Sequence, residues 1–235
     1  MNKKLSLVVV ILTALVLTGS ALALAPMGPP TAGLKTGQFR AGLEYSYSDV
    51  DMKVEGNKLD NVTSNMIFGN LGYGIMDEWE ASVRLGFADA SADNIVGSGM
   101  NFDGGFKFAW GLGTKVTFLK QENLNWGALF QMTWLKSDDI VGGTDVALDF
   151  YDMQIAVGPT WKLNDTLSIY GGPFVHLIDG SVDVKGVGNG DLREDSAVGG
   201  YIGAEAALAA NTSLFGEVQV TGAGWGIGTG INFKF

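Results

Sequence analysis

The chain of 235 residues carries 25 acidic against 15 basic side chains, a single histidine and no cysteine. An acidic balance offers no basic stripe to neutralise phosphates and argues against a nucleic-acid partner. Without cysteine there is no lipidation site, disulfide framework or thiolate metal site.

The first residues read as an address. Lys3 and Lys4 precede an almost wholly apolar run from Leu5 to Leu17, and small residues follow at Gly19, Ser20, Ala21 and Ala23. That is the pattern of a secretory signal peptide, too short for a spanning helix. Two A-x-A sites overlap, Ala21-Leu22-Ala23 and Ala23-Leu24-Ala25. Cutting at the second places Pro26 directly after the break, so cleavage is expected after Ala23, giving a signal peptide over 1–23. Loss of Lys3 and Lys4, the only charged residues there, moves the formal charge from −10 to −12. Residues 24–36 contain Pro26, Pro29 and Pro30 and read as an N-terminal linker, leaving one domain over 37–235. Past the signal no apolar run reaches the ~18 residues that a spanning helix needs. A mature chain in a membrane has to cross it as a closed barrel.

From Gly37 onward the apolar pattern has period two. Phe39, Ala41, Leu43, Tyr45 and Tyr47 alternate with Arg40, Gly42, Glu44 and Ser46; Trp79, Ala81, Val83, Leu85 and Phe87 alternate with Glu80, Ser82, Arg84 and Gly86. Alternation of this length is a strand signal. It predicts ten strands, over roughly 37–50, 62–75, 79–89, 104–118, 125–136, 148–162, 167–180, 196–208, 213–221 and 224–235. Short polar turns near Asp77, Glu122, Asn164 and Asn211 alternate with longer acidic loops near 51–61, 90–103, 137–147 and 181–195, and a tight one near Gly222. Short turns at one end and long loops at the other, with both termini at the short end, predict an all-β, closed antiparallel transmembrane barrel of ten strands in an up-and-down meander. Pro159 and Pro173 fall inside strands six and seven, where proline removes a ladder donor; each follows a glycine, and a shared bulge in one hairpin is expected.

Trp79, Trp110, Trp126, Trp134, Trp161 and Trp225 all lie on the apolar phase. Trp79, Trp126 and Trp161 sit beside short turns, Trp134 and Trp225 near the loop ends, which gives two aromatic belts. The opposite phase carries Arg40, Glu44, Glu80, Arg84, Lys107, Lys115, Glu205 and Glu217, expected as a lumen charge network. A secreted β-sandwich also alternates, but it buries its aromatics in a closed core.

The last forty residues carry a resemblance. Gly203-Ala204-Glu205, the turn at Asn211, Ser213 to Glu217 and the closing Gly230-Ile231-Asn232-Phe233-Lys234-Phe235 resemble the end of OmpA-like small outer-membrane barrels. The resemblance implies that Ile231, Phe233 and Phe235 form the signal read by the barrel assembly machinery. It also implies an outer-membrane location among lipid and lipopolysaccharide, and a monomer. The superfamily hosts pores, anchors, adhesins and enzymes, so it leaves function open. No periplasmic peptidoglycan-binding domain follows the barrel, so anchoring to the cell wall by that route is not expected.

Candidate chemistry is sparse. His176 points inward near the loop end with Asp149, Asp152 and Asp179 in reach, a height at which omptin proteases hold aspartate and histidine. Their local motifs are missing, as is the His-x-Ser pair of lipid A deacylases, and a hydrogen bond to a neighbouring carboxylate is expected instead. Asp89, Asp93, Asp138, Asp139, Asp145, Asp183, Asp191, Glu194 and Asp195 form acidic loops without the ligand spacing of a calcium loop, and they read as a solvated rim. No cofactor or metal is expected.

The inward row also holds many glycines, Gly42, Gly72, Gly86, Gly111, Gly113, Gly172, Gly199, Gly203, Gly226, Gly228 and Gly230 among them. Glycine removes filling, so water or a narrow channel can persist. Glu205 and Glu217 flank the Asn211 turn and should be cross-strand neighbours needing a cation. Arg40 from the closing seam is the first candidate, Arg84 and Lys107 the alternatives. The reading is a non-enzymatic outer-membrane protein, structural or a narrow passive pore; the alternatives are a barrel-embedded hydrolase or a surface adhesin.

Overall fold

The computed structural model describes residues 24–54, 57–93, 100–186, 188–194 and 198–235, so the signal peptide and Asp195 lie outside the described residues. The alternating segments form strands β1 Phe39–Val54, β2 Asn57–Met76, β3 Trp79–Ala92, β4 Phe102–Lys120, β5 Leu124–Val141, β6 Thr144–Lys162, β7 Leu167–Val184, β8 Gly188–Glu194, β9 Val198–Ala209, β10 Thr212–Thr221 and β11 Gly224–Lys234. Every pairing is antiparallel. The ring closes where β1 meets β11, in register from Arg40↔Lys234 to Val50↔Gly224. Ten strands, all except β8, make this meander, and the described residues contain no helix.

The tryptophans measure its height. Trp79, Trp126 and Trp161 lie within two residues of their strand ends at the short turns. Trp110, Trp134 and Trp225 lie nine or ten residues further along, counted from Lys120, Leu124 and Lys234. A spanning strand takes ~9–11 residues, so the two rows are one bilayer apart. Trp110 and Trp134 pair across β4 and β5 and stack with centroids 4.2 Å apart. Between the rows the outer surface presents Leu43, Ile67, Leu71, Leu85, Leu112 and Ile202, each at least 46 % exposed. Such a face is stable only against lipid.

Above the upper row the strands continue, and here the loop expectations need correcting. The segment near 137–147 is a strand extension closed by a two-residue turn at Gly142 and Gly143, whose φ values of 58° and 86° suit the twist of a tight hairpin. The acidic segment near 181–195 contains β8, an eleventh strand that alternation missed because it is only seven residues long and glycine-rich. β8 pairs with β7 from Asp179↔Arg193 to Val184↔Gly188, and with the tip of β1 from Met52↔Glu194 to Val54↔Leu192. It thereby replaces β9, β10 and β11, which end near the membrane surface. The wall narrows from ten strands in the bilayer to eight above it. One join in the upper wall is made by side chains. The β4–β5 ladder stops at Trp110↔Trp134, and beyond it the Asp103 N–H donates to Asp139 at 2.8 Å while Lys107 meets Asp138 at 2.7 Å.

Eight strands leave an interior that side chains just fill. Val50, Met52, Met66, Phe68, Phe102, Leu135, Phe150, Ile178 and Leu192 fill it, none more than 4 % exposed. The expected polar lumen is therefore filled mainly by apolar side chains in its upper half, with Ser64, Ser137, Asp152 and His176 buried among them. The prolines behave nearly as anticipated. β6–β7 pairing breaks between Ala156↔Phe174 and Thr160↔Tyr170, and Pro159 and Pro173 both lie in the gap. They are offset rather than opposite. A Cβ on Gly158 would come within 1.9 Å of the Gly171 carbonyl oxygen, so glycine is what lets the kinked strands approach.

Phe68→Ala opens a cavity in the eight-strand core and should lower stability by about 3–5 kcal/mol. Leu43→Ala on the lipid face should cost markedly less. Urea unfolding from lipid vesicles measures both.

Candidate functional site

The stretch expected to be a linker is not one. Residues 24–36 run inside the ring, with Leu24, Ala25, Met27 and Leu34 buried. The Leu24 N–H donates to Ser48 Oγ on β1. Met27 and Gly28 donate their N–H groups to the two oxygens of Glu217 on β10, each at 2.7 Å. Gly33 and Leu34 donate theirs to one oxygen of Glu80 on β3, Oε2, at 2.8 and 3.2 Å. The Ala32 N–H donates to Thr117 Oγ1, and the Thr31 and Thr160 hydroxyls meet at 2.8 Å. In return the wall donates to the segment's carbonyls: Gln131 and Gln219 to Ala25, Arg84 to Pro26, Lys234 to Gly33. Prolines keep the segment extended and suppress competing helix.

The inward glycines explain the room. A Cβ on Gly228 would sit 2.7 Å from Pro26 Cβ, one on Gly226 would be 2.9 Å from Leu24 Cβ, and one on Gly127 would be 2.5 Å from the Pro30 carbonyl oxygen. Elsewhere a neighbouring strand fills the space: Tyr170 lies over Gly203, Phe174 over Gly199 and Phe215 over Gly230. The vacancy expected from glycine is thus taken up by protein. Between the segment and the wall lies a cavity of about 80 Å³ bordered by Arg40, Glu44, Arg84, Lys115 and Gln131. At ~10–15 Å³ per water it has room for roughly five to eight molecules.

The structure divides the expected charge network. Arg40 Nη1 meets Glu80 Oε1 at 2.9 Å, and Arg84 Nη1 lies 3.7 Å from Glu44 Oε2, with Asn70 donating to Glu44 at 3.0 Å. Lys115 borders the cavity beside Gly28. Lys107 stands apart, with its ammonium on Asp138 at the rim. The expected partnership of Arg40 with Glu205 and Glu217 is not formed. The bulge at Thr212/Ser213 shifts the hairpin so that Glu205 faces Phe215 and Glu217 faces Gly203. Glu205 accepts from the Ser213 hydroxyl at 2.7 Å. Glu217 is satisfied by the segment's amides together with Tyr170 Oη at 3.0 Å and Gln219 at 2.7 Å. Sequence reasoning missed this because it searched for a cation, whereas a carboxylate is also satisfied by two amide donors.

Above the segment, Gln131 donates to Gln154 and Gln154 to Gln219, a ladder of amides that crosses the lumen and ends at Glu217. His176 Nε2 lies 2.6 Å from Asp152 Oδ1 on the neighbouring strand, and both side chains are fully enclosed. At the periplasmic mouth the Thr36 N–H and hydroxyl both donate to Asp77 at 2.8 Å, and these bonds hold that carboxyl below the usual range. A depressed carboxylate favours the folded form above its ordinary pKa of ~3.9, and the benefit fades as pH falls through the lowered value. At the closing seam Phe235 exchanges backbone hydrogen bonds with Phe39 and stacks on it at 6.0 Å.

The buried and exposed pairs differ in what they contribute. Arg40→Ala should cost about 3–5 kcal/mol, because Glu80 stays buried with one partner fewer. Lys136→Ala, which removes the exposed pair with Asp149, should cost at most about 1 kcal/mol. Equilibrium unfolding of both variants in lipid vesicles provides the comparison.

Comparisons with known proteins fit this geometry. The family model described as outer membrane protein beta-barrel domain matches residues 80–235. No curated protein matches the chain in sequence. Among solved structures, the translocator domain of the autotransporter NalP from Neisseria meningitidis aligns over 86 % of this chain and 90 % of its own, with a TM-score of 0.53 at 11 % identity. An outer membrane channel from Pseudomonas putida F1 aligns over 89 % and 99 %, with 0.48 at 11 %. The outer membrane protease OmpT from Escherichia coli aligns over 83 % and 97 %, with 0.45 at 10 %. At such identities the likeness is one of fold.

Proposed function

The chain belongs to the outer membrane protein β-barrel domain family, and from that premise we propose a structural, non-enzymatic barrel whose lumen is closed at rest. The observation that carries this reading is the double occlusion. Residues 24–36 fill the lower lumen on the carboxylates of Glu80 and Glu217, and the eight-strand apolar core fills the upper part. A narrow passive pore needs a continuous aqueous path, and the inserted segment and the packed upper core both stand across it.

The non-enzymatic reading rests on the same enclosure. His176 and Asp152 are an acid–base pair in composition, but a general base has to come within hydrogen-bond reach of its substrate, and both side chains are shut inside the wall. The partners that suit this surface are the outer-membrane lipids and, at the acidic collar of Asp138, Asp139, Asp145 and Asp183, lipopolysaccharide bridged by divalent ions. The exposed Phe235 at the end of the Ile231, Phe233, Phe235 series suits the barrel assembly machinery.

Two measurements test the proposal. Refolded protein in planar bilayers should show no stepwise conductance; stable ohmic steps from the unaltered chain overturn the closed reading. Purified protein should hydrolyse neither peptides nor lipid A, and an activity abolished by His176→Ala overturns the non-enzymatic one.

A further inference from the structure

The contacts of residues 24–36 have an unusual bias: the wall reads main chain. Glu217 takes one pair of consecutive amides, those of Met27 and Gly28, and Glu80 takes a second pair six residues on, those of Gly33 and Leu34. The carbonyls of Ala25, Pro26 and Gly33 are taken by Gln131 with Gln219, by Arg84 and by Lys234. The hydroxyl contacts of Thr31 with Thr160 and of Thr36 with Asp77 are the exceptions.

The segment is also separable from the wall. It adds no strand to the ring. It joins β1 through a turn at Gly37, whose φ of +79° glycine accommodates and a continuing strand does not. Each clamp keeps a wall partner when the segment is absent: Arg40 stays on Glu80, and Tyr170 and Gln219 stay on Glu217. Departure therefore strands no isolated buried charge, the condition that makes removal of one ionic partner so costly.

We infer that the lower lumen is a binding site for an extended peptide main chain, and that residues 24–36 are its tethered and exchangeable occupant. The ligand class is a polypeptide segment in extended form with small residues where the clamps grip, as Gly28 and Gly33 are here. It enters from the periplasmic mouth beside Asp77, because the apolar core closes the other side. This goes beyond the closed-barrel reading and is separable from it, since exchange from below leaves conductance low.

The chain has no native cysteine, so Ala25→Cys, at a fully buried position, provides a single thiol in the full mature protein in nanodiscs. Ala109→Cys, equally buried in the wall, provides the reference. A membrane-impermeant maleimide should label the A25C variant at least tenfold faster than the A109C variant. Met27→Pro removes one amide from Glu217 and leaves the wall untouched, and added to A25C it should raise the rate about another tenfold. A synthetic peptide of residues 24–36, added in excess, should accelerate labelling further by holding the tethered copy out, and a fluorescent version should bind saturably. Labelling of A25C no faster than A109C, with or without Met27→Pro, makes the segment a permanent part of the core and overturns the inference. Fast labelling without binding of the peptide makes it a frayed end and overturns it equally. If Met27→Pro does not fold, Ala25→Cys alone, with and without free peptide, decides the question.

Discussion

A ring of ten strands encloses more space than its inward side chains occupy when so many of them are glycine or serine. Nothing in the bilayer supplies that filling, and an empty interior forfeits dispersion contacts along its whole lining. Two devices meet the constraint. Above the membrane the wall drops three strands, gains β8 and closes on an apolar core. Within it, the chain folds its own N-terminal stretch into the remaining volume. The glycines at 127, 226 and 228 are the imprint of that stretch on the wall.

Filling a polar lumen with main chain raises a second requirement. An inserted backbone brings donors and acceptors that must be paired once water leaves. The wall meets them with carboxylates for the amides and with glutamine, arginine and lysine for the carbonyls. The same carboxylates would repel one another in an empty barrel, with Glu44, Glu80 and Glu217 all facing inward. Amide pairs, guanidinium groups and a tyrosine hydroxyl balance them without drawing on an external ion.

The fold was legible because lipid and lumen sort residues strictly by phase. The alternation of Phe39 to Tyr47 and of Trp79 to Phe87 required strands, and the tryptophan positions required two belts one bilayer apart. Three things were not legible. β8 is too short and too rich in glycine to show a period. The role of residues 24–36 was hidden because proline and glycine look alike in a tether and in an extended insert. The partners of Glu217 were hidden because backbone donors leave no trace in side-chain patterns. A signal did exist: glycines repeat on the inward face of β11, at 226, 228 and 230, where filling was most needed. Lys107 was misplaced for a related reason. Its phase is inward, but the irregular pairing of β3 and β4 between Ala88 and Ala90 frees its long side chain to reach the rim.

The narrowing of the wall also determines what an approaching molecule meets from outside the cell. Most barrels present loops there, and a binder that grips a loop must first order it, at about 0.5–1.5 kcal/mol for each side chain immobilised. Here the hairpin of β5 and β6 rises seven residues above Trp134 before it turns at Gly142 and Gly143, and β7, β8 and β1 continue the same hydrogen-bonded wall. An antibody or phage fibre recognising this turret would dock on preformed strands with little entropy left to lose. Its epitope would be discontinuous in sequence, drawn from neighbouring strands such as β7 and β8, and would vanish entirely on unfolding.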